Sequence, residues 1–583
     1  MQATTQNISG VIQSNTLLRI PYFQRHYVWK TDSWERLADD MESTLNSTRQ
    51  YFLGSIILKE EATSQEDIAN GIGQKYLVID GQQRLTTLSI YMKVIYLLTG
   101  KNDTFTVRFL QANDLRDPII KHSRDDAPVF NEIMHKDVAS PINKNNLNLM
   151  ESAYNYFLSR LKAQRDKGMD LNTLLNTINA RITFVSISLT STDDEQQIFD
   201  TINSLGIPLT TADLMKNYLY EAGDEEAYRQ NWYPVFDDKN VISFWESDSS
   251  STRQKKKDNS TIERFFHAFV RIKMWDFDLS DEQKKSFVKM ENVFSTCKAF
   301  TEEFGMGKQD LANEIIAYAK LYKDNLDETI LNVRIPMYAG IERISFFINA
   351  TKNYSVIPYV LYVLKAQNNL QERQRIFEYL ETYLVRRVLA ASNNNSYSDL
   401  FTENLINGHK NTYVQFKEYI DQRDGNLMMP TEDSLKLAMN SRLKELDEKT
   451  ARTLYYIYET KLAPASNPNS IDGCYNDYVA WQIMPKKAYS PAWPQRNDAS
   501  SEETRKMLVG TFGNYFLMEE GGNKDMKKVV ADSWKDKTDI IKSWSSRIRS
   551  SCQMLANLTD WTEREIKLRN EQFAKNMCQL FVI

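Results

Sequence analysis

The chain has 583 residues, 42% of them hydrophobic and 26% charged, a length that exceeds one core and suits two to four domains. Its net charge of −5 excludes a protein that coats nucleic acid through bulk charge, so any such binding must use a local patch. The four cysteines (Cys297, Cys474, Cys552 and Cys578) show no C-x-x-C spacing, which argues against a structural zinc site and fits a reducing cytosol.

The first residues, "MQATTQNISG", are polar and lack a basic region followed by an apolar one, so no secretory signal is expected. No segment approaches the ~20 apolar residues of a membrane helix. The best candidate, Ile90 to Leu98, is interrupted by Lys93. The expectation is a cytoplasmic protein without membrane contact.

Next comes "IPYFQRHYVWK", Ile20 to Lys30, with Gln24 and Arg25 set among Tyr22, Phe23, Tyr27 and Trp29. Aromatic faces beside a cation suit base stacking or a flipped nucleotide. A strand end tucked under aromatic packing is the alternative. "YFLGSIIL" (Tyr51 to Leu58) and "KYLVID" (Lys75 to Asp80) are rich in β-branched and aromatic residues, as strands are.

After Asp80 and Gly81 the period changes. Leu85, Leu88, Met92 and Ile95 recur at three and four, so a helix is expected from Gln82 or Gln83. Its first turn offers unpaired N–H groups and the positive end of the helix dipole, and Arg84 adds a full charge with a planar fork of donors. Gly81 leaves the backbone open to a close ligand. This combination suits an anion, above all phosphate. Asp80 is then placed to orient Arg84, hold a metal ion or position a water. The competing reading has Asp80 as a helix cap, with Gln82, Gln83 and Arg84 in solvent.

A helix is expected over Leu147 to Leu161, and a strand over "RITFVSISL", Arg181 to Leu189. In Thr192 to Tyr220, Thr192 with Glu195 fits a capping box, Gly206 a helix stop and Thr211 the cap of a second helix. Asn203, Asp213 and Lys216 are polar positions suited to facing a ligand; a plain helical hairpin is the alternative. Glu246 to Thr261 reads as a surface loop carrying Lys255, Lys256 and Lys257, a run suited to phosphates or simply to solvent. Helical periodicity dominates from 262 to 460. A loop at Ala463 to Gly473 opens a third region, so the expected domains are 1–225, 226–462 and 463–583.

Together "IPYFQRHYVW", "FLGSIIL", "VIDGQQRLTTL" and "IFDTINSLGIPLTTADLMKN" resemble the N-terminal domain of the GmrSD-type modification-dependent restriction enzymes, whose relatives include phosphorothioation-sensing defence proteins. The resemblance implies a ParB- and sulfiredoxin-like fold that binds and hydrolyses a nucleoside triphosphate, with Mg²⁺ as the accompanying ion. By that match Asp80, Gln83 and Arg84 are the catalytic candidates. Gln24, Arg25, Gly81, Gln82 and Arg84 would bind the nucleotide, with Tyr22, Tyr27 and Trp29 as an aromatic pocket. "YLETYLVRRVLAASNNNSYSDLF" is similar to the family's helical middle and places Arg386 and Arg387 near a helix end, where salt bridges between domains are the plain reading.

The family's C-terminal region is an HNH-type nuclease, and this chain's end is similar. "LTDWTEREIKLRNEQFA" fits its closing helix, while "FGNYFLMEEGGNKD" puts Asn514 and Asn523 at its asparagine positions; Trp534, Lys535 and Lys537 follow. Gln482, however, stands where the motif H-I-x-P needs histidine. An amide has no usable basicity near neutral pH, so it cannot generate the attacking nucleophile. None of the five histidines lies in this region. Lys486, Lys487, Lys524, Lys527 and Lys528 suit either a DNA-binding shell or a solvated surface.

The expected fold class is α+β: a ParB-like N-terminal domain, an all-α middle and a mainly α, HNH-related C-terminal domain. The expected function is anti-phage defence, with nucleotide hydrolysis and sensing of modified DNA in the N-terminal domain. Cleavage would fall to a partner protein with an intact nuclease domain. The alternatives are a non-catalytic nucleotide- or DNA-binding scaffold, and cleavage by the N-terminal domain itself. The last is disfavoured because no carboxylate cluster suits two metals.

Overall fold

A computed structural model describes residues 2–22, 24–113, 116–123, 125–189, 210–220, 223–247, 260–392, 394–441, 446–462, 471–485, 490–494, 502–520, 533–544 and 555–583. The mixed α/β chain packs as two compact units, Met1–Phe236 and Asp237–Ile583.

The first unit is built on six strands: β1 (Gln2–Asn7), β2 (Thr16–Arg19), β3 (Tyr51–Glu61), β4 (Gln74–Asp80), β5 (Ile120–Lys121) and β6 (Ile182–Leu189). They lie in the order β1-β6-β3-β4-β2-β5. β3 runs antiparallel to β4 and parallel to β6, while β2 is parallel to both β4 and β5. Such mixed pairing needs helical crossovers, and the helices cover the sheet.

Alternation along the strands sends Ile56, Leu58 and Val78 into one core, and Ile57, Leu77 and Ile79 into a smaller one with Leu189. The larger core receives α1 (Thr31–Ser43), α2 (Gln82–Leu98), α3 (Ala127–Met134), α4 (Leu149–Asp166) and α5 (Leu171–Arg181). α2 is buried nearly all round, so its apolar positions outnumber one face. Leu214 of α6 (Thr211–Leu219) packs on the smaller core.

The strand and helix starts expected around residues 51, 75, 82 and 181 are present. Two local expectations change. Thr210, rather than Thr211, caps α6, because its hydroxyl completes the capping box with Asp213. The Thr192–Glu195 box, Asn203 and Gly206 lie outside the described residues, as do Phe23, Lys255 to Lys257, Asn523 and the lysines at 486, 487, 524, 527 and 528.

The second unit holds the helical middle, including α7 (Leu370–Leu389) and α8 (Glu448–Leu462), with no strand among the described residues 260–462. It ends in an antiparallel pair, β7 (Tyr478–Gln482) with β8 (Tyr515–Glu519), joined by α9 (Glu502–Val509) and followed by α10 (Trp534–Trp544) and α11 (Glu563–Leu580). Arg386 donates to Pro430 O and to Phe581 O, the latter at the end of α11, and Arg387 donates to Tyr397 OH. No helix among the described residues is long and apolar enough to cross a membrane.

Candidate functional site

The corner where β4 meets α2 is shaped by an irregular strand pair. Ile57 pairs with Asp80 and Leu58 with Val78, so Ile79 is an extra residue and the bulge re-aims Asp80. Gly81 follows at φ +98, a left-handed conformation that glycine adopts without steric cost. A Cβ there would meet Ile56 Cγ2 at 2.7 Å. The glycine therefore serves the turn and its packing on Ile56.

The amides of the motif act as fasteners. Gln82 Nε2 donates to Arg25 O at 3.1 Å. Gln83 Nε2 donates to His26 O at 3.0 Å while its Oε1 accepts from Val28 N at 2.9 Å. Gln24 Nε2 returns the contact, donating to Val78 O and Ile79 O at 2.9 Å each. Three glutamines thus clamp the segment 24–28 onto the end of β4 and the start of α2. Gln83 thus has one bond at each end of its amide tied to the backbone of His26 and Val28.

Charge is what the clamp brings together. Arg84 Nη1 donates to Ser55 O at 2.5 Å, and its guanidinium lies so close to Gly54 that a Cβ there would come within 2.8 Å of Cζ. Burial lowers the Arg84 pKa, and Asp80 pulls it back up. Burial likewise lowers that of Arg25, opposed by Asp213 and Asp80. Two partly desolvated arginines therefore share one strand-end carboxylate beside a helix N-terminus, an arrangement suited to phosphate.

The aromatic expectation divides. Tyr27 belongs to the core: its hydroxyl meets Thr87 Oγ1 at 2.7 Å and accepts from Trp34 Nε1 at 2.8 Å. Trp29 is half-buried against the same core. Neither ring is an open stacking platform. Tyr22 instead packs on Tyr228, with centroids 5.0 Å apart, against a π-helix at Tyr228–Asp237.

Sequence reasoning passed over His122. Its Nε2 lies 3.0 Å from Thr86 Oγ1, which itself donates to Gln82 O. Burial pushes the imidazole pKa down to about 3, so it stays neutral. Only its fold neighbours mark it out; nothing local in "KHSRDD" does.

At the other corner, Gln482 ends β7 and its Nε2 donates to Val509 O at 2.7 Å. Asn514 is fully buried. Its Oδ1 accepts from Met484 N at 2.9 Å and Trp561 Nε1 at 3.1 Å, while Nδ2 donates to Met484 O and Val509 O at 2.9 and 2.8 Å. All its bonding capacity is used internally, so it neither orients a substrate group nor ligates a metal. Lys537 Nζ donates to Ile483 O at 2.6 Å, and Trp534 stacks on Trp561. No group of three or more metal-ligating side chains occurs among the described residues.

No curated protein matches the chain. Two family models do: residues 8–220 match the N-terminal domain of the GmrSD restriction endonuclease, and residues 429–576 match the C-terminal domain of GmrSD restriction endonucleases.

Proposed function

Because the chain belongs to the GmrSD-type restriction endonuclease family, which implies a defence role with DNA as substrate, we propose a nucleotide-dependent form of that role. In this reading the chain binds and hydrolyses a nucleoside triphosphate at the β4–α2 corner, senses modified DNA, and leaves cleavage to a partner with an intact nuclease centre. The observation that carries the nucleotide site is the pairing of Arg25 and Arg84 around Asp80. Both guanidiniums are partly desolvated at a helix N-terminus, where a polyphosphate would replace lost hydration with charge-assisted bonds. Asp80 is the residue placed to hold Mg²⁺, an ion that takes one or two carboxylates plus phosphate oxygens. The delegation of cleavage follows from Gln482, an amide in the position of the base.

Titration with each nucleoside triphosphate, with and without DNA, tests the reading. Arg84→Ala and Arg25→Ala should each weaken binding about ten- to a hundredfold, the worth of one charge-assisted contact. Equal affinity in both folded variants would refute the site. A second reading, binding without hydrolysis, is favoured by one observation: both ends of the Gln83 amide hold backbone, at His26 and Val28. Phosphate release by the purified chain distinguishes the two.

A further inference from the structure

The seat of Arg84 is built by β3 rather than by its own helix. β3 is irregular twice along its length. Against β6, Phe52 pairs with Thr183 and Gly54 with Phe184, so Leu53 is an extra residue. Against β4, the register shifts between Ile57 and Leu58. Bulges re-aim the groups beside them. Gly54 leaves the first bulge at φ +124, a conformation that residues with a side chain rarely adopt.

β3 pairs with β4 only from Ile57 onward, because β4 ends at Asp80. Ser55 therefore lies beyond the last strand partner on that edge, and its carbonyl accepts from Arg84 Nη1 at 2.5 Å instead. The guanidinium rests on Gly54 as it does so. A Cβ at position 54 would lie 2.8 Å from Cζ, 3.0 Å from Nη1 and 3.1 Å from Nε. Among the described residues this is the guanidinium's single hydrogen bond, and it forms no ion pair. Most of its planar fork is thus unspent once Ser55 is satisfied, including Nη2, the corner farther from Gly54. A long side chain fixed before its ligand arrives loses less freedom on binding.

We propose that Gly54 is a positioning residue of the nucleotide site: by lacking a side chain it lets the Arg84 guanidinium lie on the β3 backbone, held by Ser55 O, with its remaining donors free for the phosphates. The proposal rests on the nucleotide reading above and adds that the charge of Arg84 works from this seat. The guanidinium is the far end of a flexible side chain, so a Cβ at position 54 would push it off the strand rather than move the strand.

The test is a double-mutant cycle in the full chain, titrated calorimetrically with inorganic tripolyphosphate in Mg²⁺-free buffer, with thermal unfolding followed in parallel. Gly54→Ala should bind about tenfold more weakly than the wild type. In the Arg84→Ala background the same substitution should change affinity no further, since the group it displaces is gone. Gly100→Ala strains a positive φ at the other end of α2 and should bind as the wild type does. A purely structural role for Gly54 would lower the melting temperature in both backgrounds and leave the affinity of the folded chain unchanged. If Arg84→Ala loses binding while folded Gly54→Ala matches the wild type, the proposal is overturned and the nucleotide reading stands. Equal losses from Gly54→Ala in both backgrounds would also overturn it, because Gly54 would then act without Arg84. If the wild type and Arg84→Ala bind alike, the nucleotide reading fails and takes the proposal with it. If Gly54→Ala does not fold, Arg84→Lys decides. It keeps the charge but cannot hold Ser55 O and still present a fork, so it should bind about tenfold more weakly, and wild-type affinity overturns the proposal.

Discussion

The ends of β4 and β7 are built alike. In each, a strand stops, and polar side chains from distant segments close over its last residues and fasten them to a helix. The corners differ in what remains once the fastening is done. At β7 the fasteners are the amides Gln482 and Asn514 with the ammonium of Lys537, which donates to Ile483 O, and Asn514 spends every donor and acceptor on backbone or on Trp561. At β4 the amides do the fastening too, but the guanidiniums of Arg25 and Arg84 are partly dehydrated within reach of Asp80. Groups saturated by their neighbours make architecture. Partly desolvated guanidiniums gathered at a strand end and a helix N-terminus make a place for a ligand.

The largest expected effect tests the saturated corner. The purified chain, with Mg²⁺ or Mn²⁺ and nucleotide, should leave DNA uncut, because help from a general base is typically worth ~10²–10⁴-fold and Gln482 cannot supply it. Metal-dependent cleavage that disappears on mutating Asn514 would break the comparison. Cleavage that disappears with Asp80→Ala would move the nuclease to the N-terminal unit.

Next in size is Asn514→Ala. It takes partners from two donors, Met484 N and Trp561 Nε1, and from the acceptor Met484 O in a sealed interior, while Val509 O keeps its bond from Gln482, for a loss on the order of 3–5 kcal/mol. Gln482→Ala removes one bond from a half-buried side chain and should cost about 1 kcal/mol. Denaturant midpoints of the two variants test the contrast. Similar midpoints would mean that Asn514 is not the fastener its four bonds describe.

Gly81→Ala tests the other corner. The positive φ and the approach to Ile56 both oppose a Cβ, so about 2–3 kcal/mol should be lost. Gly100 has φ +68 with nothing within 4 Å of its would-be Cβ. Gly100→Ala isolates the backbone strain at about 1 kcal/mol. Equal losses would remove Ile56 from the account.

Much of this was legible in the sequence, for reasons that differ by residue. The β4–α2 junction announces itself because the apolar period changes from two to between three and four across Asp80 and Gly81. The charge of Arg84 is equally plain. What the amides do was not legible, since Gln82 and Gln83 bond a backbone segment 55 to 57 positions away. Tyr27 reads as a stacking ring until Trp34 and Thr87 arrive to bond its hydroxyl. The capping residue of α6 was misplaced by one because two threonines adjoin and only the reach to Asp213 separates them. At the C-terminus the loss of a histidine is visible directly, whereas the saturation of Asn514 depends on Trp561, which comes 47 residues later.

The effect confined to acid pH concerns His122, the buried neighbour of Thr86 that no local pattern marks. Burial lowers its pKa from 6.5 to about 3, so between those values the unfolded chain takes up a proton that the folded chain refuses. Stability contributed through this group is therefore lost as pH falls below 6.5, by about 2 kcal/mol between pH 7 and pH 5. Two other groups complicate the raw profile. Asp126 has a pKa raised by burial, a shift that strengthens the fold as pH falls. His267, in the other unit, is also lowered by burial and adds to the acid loss. Comparison with His122→Gln cancels both, since the amide can still donate to Thr86 but cannot take the proton. Unfolding free energies at pH 7, 6 and 5 should fall less steeply in the variant than in the wild type. Parallel profiles would mean that the imidazole reaches solvent and protons freely, and that the β4–α2 corner is wetter than its hydrogen bonds suggest.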